Sequence, residues 1–259
     1  MIKLNGHLVN VTMFPDKTSQ VWKLSNELLE SEKNCSKYII TWDFQNEGEI
    51  FQIFQLLHFF MKDDINKPVI LNCPYMPYSR QDKILSDSSC FALTTFCQVF
   101  SWIEELQTFD VHNPSFFEDK EICPFKFTNT LPYKEVNQII SDEKIDLLIY
   151  PDKGASLRYP QLSKKHLYCS ADKVRDQSTG EITGITVPSL TIGSSILVVD
   201  DLADGSKTFI ELSKVIKQYN PVKLILYVSH GIFSKGTKIV FDAGYDKIFT
   251  KDGLVENKT

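Results

Sequence analysis

Apolar residues along this chain arrive in two rhythms. Short apolar runs, many rich in β-branched residues, fall at 37–41, 68–72, 108–111, 145–150, 195–199 and 223–228, and such runs predict strands. Between them, apolar residues recur every three or four positions at 20–30, 49–61, 90–106, 133–141 and 206–218, which predicts helices. In the last of these, Phe209, Leu212, Val215 and Ile216 share one face. Apolar strands alternating with helices predict a parallel sheet covered on both sides, an α/β fold. Residues 1–11 alternate like one further strand.

The rhythm fails near 113–133, where Pro114, Pro124 and Pro132 interrupt any periodicity. That break predicts two α/β units, 1–130 and 131–259, each with its own sheet. Residues 170–188, SADKVRDQSTGEITGITVP, are polar with a turn signal at Thr179–Gly180, and predict a hairpin that could act as a lid.

Composition narrows the function. The 259 residues are 42% hydrophobic and 24% charged, enough apolar material for a sizeable core without a staple. A net charge of −5 argues against nucleic acid and membrane surfaces as partners. It leaves room for phosphorylated substrates held in one basic cleft. The six cysteines form no CxxC pair and show no metal spacing, so they read as reduced thiols of a cytoplasmic protein. Residues 1–11 lack the pattern of a signal peptide, and the longest apolar-rich stretch, 50–61, is too short to cross a bilayer.

The segment SSILVVDDLADGSKTF carries the strongest chemistry. A β-branched run ends in Asp200 and Asp201, and Asp204, Gly205, Ser206, Lys207 and Thr208 lead into a helix. Ligands of parallel α/β sheets sit beyond the carboxyl ends of the strands. There the amides of the turn and of the helix's first turn can cradle a phosphate. Gly205 is expected to allow positive φ or close approach, while Ser206 and Thr208 add hydroxyls and Lys207 adds charge. The two acids could hold sugar hydroxyls, or magnesium through water. The blander reading makes Asp204 and Ser206 plain helix caps. A Walker loop is excluded, because the glycine four residues before a Gly-Lys pair is missing.

This segment resembles the phosphoribosyl-binding fingerprint shared by type I phosphoribosyltransferases and ribose-phosphate pyrophosphokinases. The resemblance implies two phosphoribosyltransferase-like α/β domains, with Asp200 and Asp201 facing the ribose 2- and 3-hydroxyls and Asp204–Thr208 holding the 5-phosphate. The family usually carries Thr-Gly-Gly-Thr or Thr-Ala-Gly-Thr after the third acid, where this chain has Gly205, Ser206, Lys207 and Thr208. Its phosphate pocket is therefore expected to differ in charge and width.

Three further segments resemble the pyrophosphokinases and not the simple transferases. NCPYMPYSRQDK is similar to their Pro-Tyr-x-x-Tyr-Ala-Arg-Gln-Asp-Arg loop, which implies an ATP site at Arg80, Gln81 and Asp82. TFDVH implies that His112 serves the metal and the triphosphate, with Asp110 as support. IYPDKGA implies that Asp152 helps hold the metal–ATP unit. More weakly, SADKVRD resembles the family's basic loop, making Lys173 and Arg175 catalytic candidates beside His112. TWDFQNEGEI lies where the family reaches ATP across a subunit interface, so Phe44, Asn46 and Glu49 join the ATP set. VSHGIFSKG matches a further family stretch without marking His230 as catalytic.

The resemblance implies a magnesium-dependent transfer of the pyrophosphoryl group of ATP to ribose 5-phosphate, by a homo-oligomer with its ATP site at or near an interface between copies. A larger acceptor ending in a ribose 5-phosphate unit, such as ADP-ribose, stays open, as do a phosphoribosyltransferase and a non-catalytic regulatory homologue.

Overall fold

In a computed structural model the chain divides into two compact units, Met1–Thr130 and Leu131–Thr259. The structure describes all residues except 34, 63–65, 84–87, 176–181, 189 and 258–259, and the side chains of 32, 173–175, 182 and 183 are likewise outside the described residues.

The first unit runs β1 (Ile2–Leu4), β2 (His7–Leu8), β3 (Val11–Met13), β4 (Ser19–Val21), α1 (Asn26–Lys33), β5 (Tyr38–Trp42), α2 (Gly48–Phe60), β6 (Val69–Asn72), α3 (Ala92–Val99), β7 (Glu105–Phe109) and β8 (Lys126–Thr130). Its main sheet has the order β2-β1-β5-β6-β7-β8. Strands β5 to β8 are parallel, and β1 and β2 continue the sheet antiparallel. The core forms where the buried face of α2 (Ile53, Leu56, Leu57, Phe60) and Leu93 and Phe96 of α3 cover Tyr38, Ile40, Trp42 and Leu71.

The second unit runs α4 (Tyr133–Glu143), β9 (Leu147–Tyr150), α5 (Lys153–Arg158), α6 (Pro160–Lys165), β10 (Tyr168–Ser170), β11 (Asp172–Arg175), β12 (Ile182–Thr186), β13 (Ser195–Ala203), α7 (Lys207–Ile216), β14 (Lys223–Gly231), α8 (Lys238–Asp242), β15 (Lys247–Thr250) and β16 (Gly253–Val255). Its sheet has the order β10-β9-β13-β14-β15-β16, parallel except for β16. Strands β9, β13 and β14 carry unbroken apolar runs because both faces are covered. One cluster gathers Ile196, Val198 and Leu226 with Phe209 and Leu212 of α7, and the other gathers Leu197, Val199 and Tyr227 with Val136 of α4 and Leu162 of α6.

The helix expected at 20–30 is cut to α1. Residues 19–21 pair with β3 in a separate hairpin, and Lys23, at φ +53°, turns the chain before Ser25 caps α1 through Leu28 N at 3.2 Å. The helix expected at 90–106 ends at Val99. Phe100 and Ile103, which look like the next helical turn, are buried from a tight turn instead. The strand expected at 108–111 consequently begins at Glu105, whose carboxylate takes Thr128 Oγ1 at 2.7 Å and Lys126 Nζ at 3.2 Å from β8. The expected polar hairpin is present as β11 and β12, paired antiparallel from Asp172↔Thr186 to Arg175↔Ile182; its Thr179–Gly180 turn lies outside the described residues.

All six cysteines are free. Cys97 and Cys123 are buried with their sulfurs 3.3 Å apart, a thiol contact and not a disulfide. No helix among the described residues is long and apolar enough to cross a membrane.

Candidate functional site

In the first unit the candidate ATP residues follow the carboxyl ends of β5, β6 and β7, the edge where parallel sheets take ligands. Phe44 lies after β5, half-buried, with its ring 6.3 Å from Tyr75 and 6.5 Å from Tyr78 of the loop after β6. Tyr78 holds φ +63° and donates its hydroxyl to Glu47 at 2.9 Å. Burial first, and then that carboxylate, push its phenol up to about 12, so it stays a donor. Arg80 and Gln81 project into solvent from the same loop. Asp82 accepts from Asn113 Nδ2 at 2.7 Å, which ties this loop to the one holding His112.

His112 itself is half-buried past the end of β7. Its approach is fixed by Asn129, whose side-chain oxygen accepts from Thr108 Oγ1 and from Val111 N, each at 3.0 Å. Asp110 is fully buried at φ +49°, its amide bound to Thr130 O at 2.8 Å. Asn46 lies two residues before α2, its side-chain oxygen accepting from Gly48 N at 3.0 Å. Glu49 donates its amide to Asn46 O at 3.2 Å. It is buried, and its oxygens take the Met1 ammonium at 2.7 Å, Trp42 Nε1 at 2.9 Å and Gln45 N at 2.7 Å. That engagement ties its carboxylate to groups of the first unit.

In the second unit, β13 does not end at the acids. It continues through Asp200 and Asp201 to Ala203, because β14 runs beside it to Gly231. Arg158, at the end of α5, reaches under both acids: its Nη1 lies 3.2 Å from Asp200 Oδ1 and 2.7 Å from Asp201 Oδ1. The three side chains are only 9%, 19% and 6% exposed for Arg158, Asp200 and Asp201. Burial, then the charge of Asp201, hold the Asp200 carboxyl well above the usual carboxylate range; the arginine opposes them only in part.

After Ala203, Asp204 and Gly205 turn the chain into α7. The left-handed residue of this turn is Ser206, at φ +56°, and not Gly205. Gly205 is open: a Cβ there would meet nothing nearer than Lys235 Cε at 4.0 Å. Ser206 is buried, and its hydroxyl donates to Asp204 O at 3.3 Å, so no side chain caps α7. The capping explanation for these residues fails, and the amides of the first turn stay available to an anion. Lys207 is exposed and Thr208 half-buried at that turn.

The loop after β14 closes the far side. Ile232 N and Phe233 N both donate to Ala203 O, at 2.8 and 3.0 Å. This fold-back requires glycine at 231, where a Cβ would sit 2.3 Å from Phe233 Cε2 and 2.9 Å from Thr250 Cγ2. We expect Gly231→Ala to lower stability by about 1–3 kcal/mol through overpacking, read as a lower thermal midpoint. His230 is buried.

Asp152 follows β9 and caps α5, accepting from Ala155 N at 2.9 Å. Beside it, Lys153 Nζ lies 3.7 Å from Asp172 Oδ1 at the foot of the hairpin. Lys173 and Arg175 stand on β11 with their side chains outside the described residues. Neither Arg158 nor Lys235 stands out in the sequence as a site residue. Arg158 sits six residues past Asp152 in IYPDKGASLR, and only the fold reveals that it meets two carboxylates.

No family model matches the chain. It is similar to curated ribose-phosphate pyrophosphokinases: 25% identical over 232 residues to that of Pyrococcus furiosus, covering 88% of this chain and 79% of the relative. That of Mycoplasmopsis pulmonis is 28% identical over 254 residues, covering 93% and 75%. Among solved structures, phosphoribosylpyrophosphate synthetase from Mycobacterium smegmatis shares the fold with a TM-score of 0.75 at 12% identity, over 94% of this chain and 79% of that one.

Proposed function

We propose that this chain, a relative of the ribose-phosphate pyrophosphokinases, transfers the β,γ-pyrophosphoryl group of Mg-ATP to the 1-hydroxyl of ribose 5-phosphate, giving phosphoribosyl pyrophosphate and AMP. The observation that carries the reading is the end of β13, where Asp200 and Asp201 sit on one arginine and lead into the uncapped first turn of α7. Carboxylates for sugar hydroxyls and bare amides for a phosphate are what a ribose 5-phosphate group presents itself to.

In this reading Asp200 and Asp201 orient the sugar, and Asp204, Gly205, Ser206, Lys207 and Thr208 hold its 5-phosphate. In the first unit Arg80, Gln81 and Asp82 bind ATP, with Phe44, Tyr75 and Tyr78 offering aromatic faces to the base. Magnesium draws most of its shell from phosphate oxygens and water, with one or two protein groups. The described residues contain no group of three or more His, Cys, Asp or Glu able to cage an ion, which suits a metal carried on the triphosphate. His112 and Asp152 are each candidates to contact the metal–ATP unit, and the ion would neutralise phosphate charge. Lys173 and Arg175 would meet the charge that grows on the transferred group. The 1-oxygen forms its bond to the β-phosphorus as the bond to the α-phosphate bridging oxygen breaks, and no residue is assigned as general base.

The assembly in this reading is a cytoplasmic homo-oligomer, with Phe44 and Asn46 reaching ATP at an interface between copies. Light scattering with and without ATP checks it.

A second acceptor is favoured by one feature. The open position at Gly205 and the exposed Lys207 and Lys235 beside it leave space and charge for a diphosphate ester such as ADP-ribose. Purified protein given magnesium, ATP and each acceptor in turn should release AMP with one of them. AMP release with ribose 5-phosphate supports the first reading, and release with ADP-ribose alone supports the second. Silence with every acceptor would sink both in favour of a non-catalytic homologue.

A further inference from the structure

We propose that Arg158 is a positioning residue of the acceptor site, its guanidinium setting the direction in which Asp200 presents an oxygen to a sugar hydroxyl. The inference rests on the acceptor reading above. Asp200 Oδ1 takes two donors, Arg158 Nη1 at 3.2 Å and Asp201 N at 2.9 Å. The Asp200 carboxyl also meets the side chain of Asp201. Two donors from within the protein therefore fix Oδ1, and with it the direction in which the carboxyl faces. Asp201 lies deeper and closer to the cation, at 2.7 Å.

The arm that carries the guanidinium is itself anchored. Asp152 starts α5 and Arg158 ends it. The next residue, Tyr159, is fully buried, with its ring 5.8 Å from the guanidinium carbon and stacked on Tyr150. Pro160 then begins α6, so the chain cannot extend α5 past this point. A fixed base and a planar head hold a direction that a lysine's rotating ammonium would not. The raised carboxyl of Asp200 agrees with this arrangement, since one cation is shared between two buried acids.

A buried counter-charge with no part in binding would look similar in a static structure, so the test must separate the two. Arg158→Lys and Arg158→Gln are compared with the parent for kcat, for KM of ribose 5-phosphate and of ATP, and for thermal midpoint; calorimetry reads ribose 5-phosphate binding without turnover. Arg158→Lys should raise the acceptor KM about tenfold or more while the ATP KM stays within about twofold. In an Asp200→Asn background the same change should have little further effect, because Arg158 acts through Asp200. Lost stability with an unchanged acceptor KM would overturn the proposal, as would additive effects in the double variant. Should Arg158→Gln fail to fold, Arg158→Lys and the cycle still decide. If the parent releases no AMP but binds ribose 5-phosphate, the diphosphokinase reading fails, and calorimetry on the same variants still judges Arg158.

Discussion

Asparagine at position 200 should give a protein that melts higher than the parent and handles ribose 5-phosphate far worse. Asp200 is mostly buried, one residue from a second acid, with one arginine between them. Burial and the neighbouring charge raise its carboxyl well above the usual range, so folding favours the neutral form. A raised carboxyl contributes stability that is complete below the ordinary aspartate value and is lost as pH rises through the raised one. Above the ordinary aspartate value the raised carboxyl is therefore a cost to stability. Asparagine removes that cost, for a gain on the order of 1 kcal/mol, or a few degrees in midpoint. It also flattens the decline of stability with rising pH. The price is functional: losing a carboxyl oxygen that takes a sugar hydroxyl removes about 1.5–3 kcal/mol, a ten- to hundredfold rise in acceptor KM. Asp201→Asn should behave oppositely in stability. It takes away the 2.7 Å partner of Arg158, with Asp200 at 3.2 Å on the same guanidinium nitrogen, so the midpoint falls. Thermal scans from pH 5 to 8 on both variants, with acceptor kinetics, read every part. A lower midpoint for Asp200→Asn would remove the argument.

The contrast between these two neighbours was not legible in the sequence, although the pair itself was. A β-branched run meeting Asp-Asp and a polar turn says that acids stand at a sheet end, because apolar strands and turn residues are local signals. It does not say which acid lies deeper, since that depends on α5 and on β14 running past the acids to Gly231. Arg158 shows the same limit. Nothing near it in sequence marks a charge that will be buried, because its partners are forty-two and forty-three positions away. The strands that alternate with strong helical patterns were readable. The overrun of α3 was not: Phe100 and Ile103 satisfy helical spacing yet are buried from a turn. Strand β8 was hidden differently. Its residues KFTNT alternate between exposed and half-buried at a sheet edge, so they offer too little apolar contrast to stand out beside three prolines. At the phosphate turn, glycine was the natural choice for a left-handed backbone, but Ser206 takes that conformation.

The largest loss of turnover is expected from Lys173→Ala: kcat down about 10²–10³-fold, with ribose 5-phosphate affinity held within about threefold by calorimetry. The foundation for the substitution is firm. Strand β11 is paired to β12 through Lys173↔Ile185, and Ala171 and Ile185, at the foot of the hairpin, are buried in the core of the second unit. Removing a side chain beyond that anchor leaves the platform standing. Location supports the role: Asp172, the preceding residue, lies 3.7 Å from Lys153, which adjoins Asp152. The hairpin thus rises beside the acid proposed for the metal–triphosphate unit. A cation placed there meets negative charge as it gathers on the phosphates during transfer. It adds little to holding the acceptor before transfer begins, which is why kcat and affinity should separate. Arg175→Ala should follow the same pattern. If the two cations act on one transition state, the double variant falls by less than the product of the single losses. Equal losses of turnover and acceptor affinity in Lys173→Ala would instead make the hairpin a binding element, and the transition-state role would be abandoned.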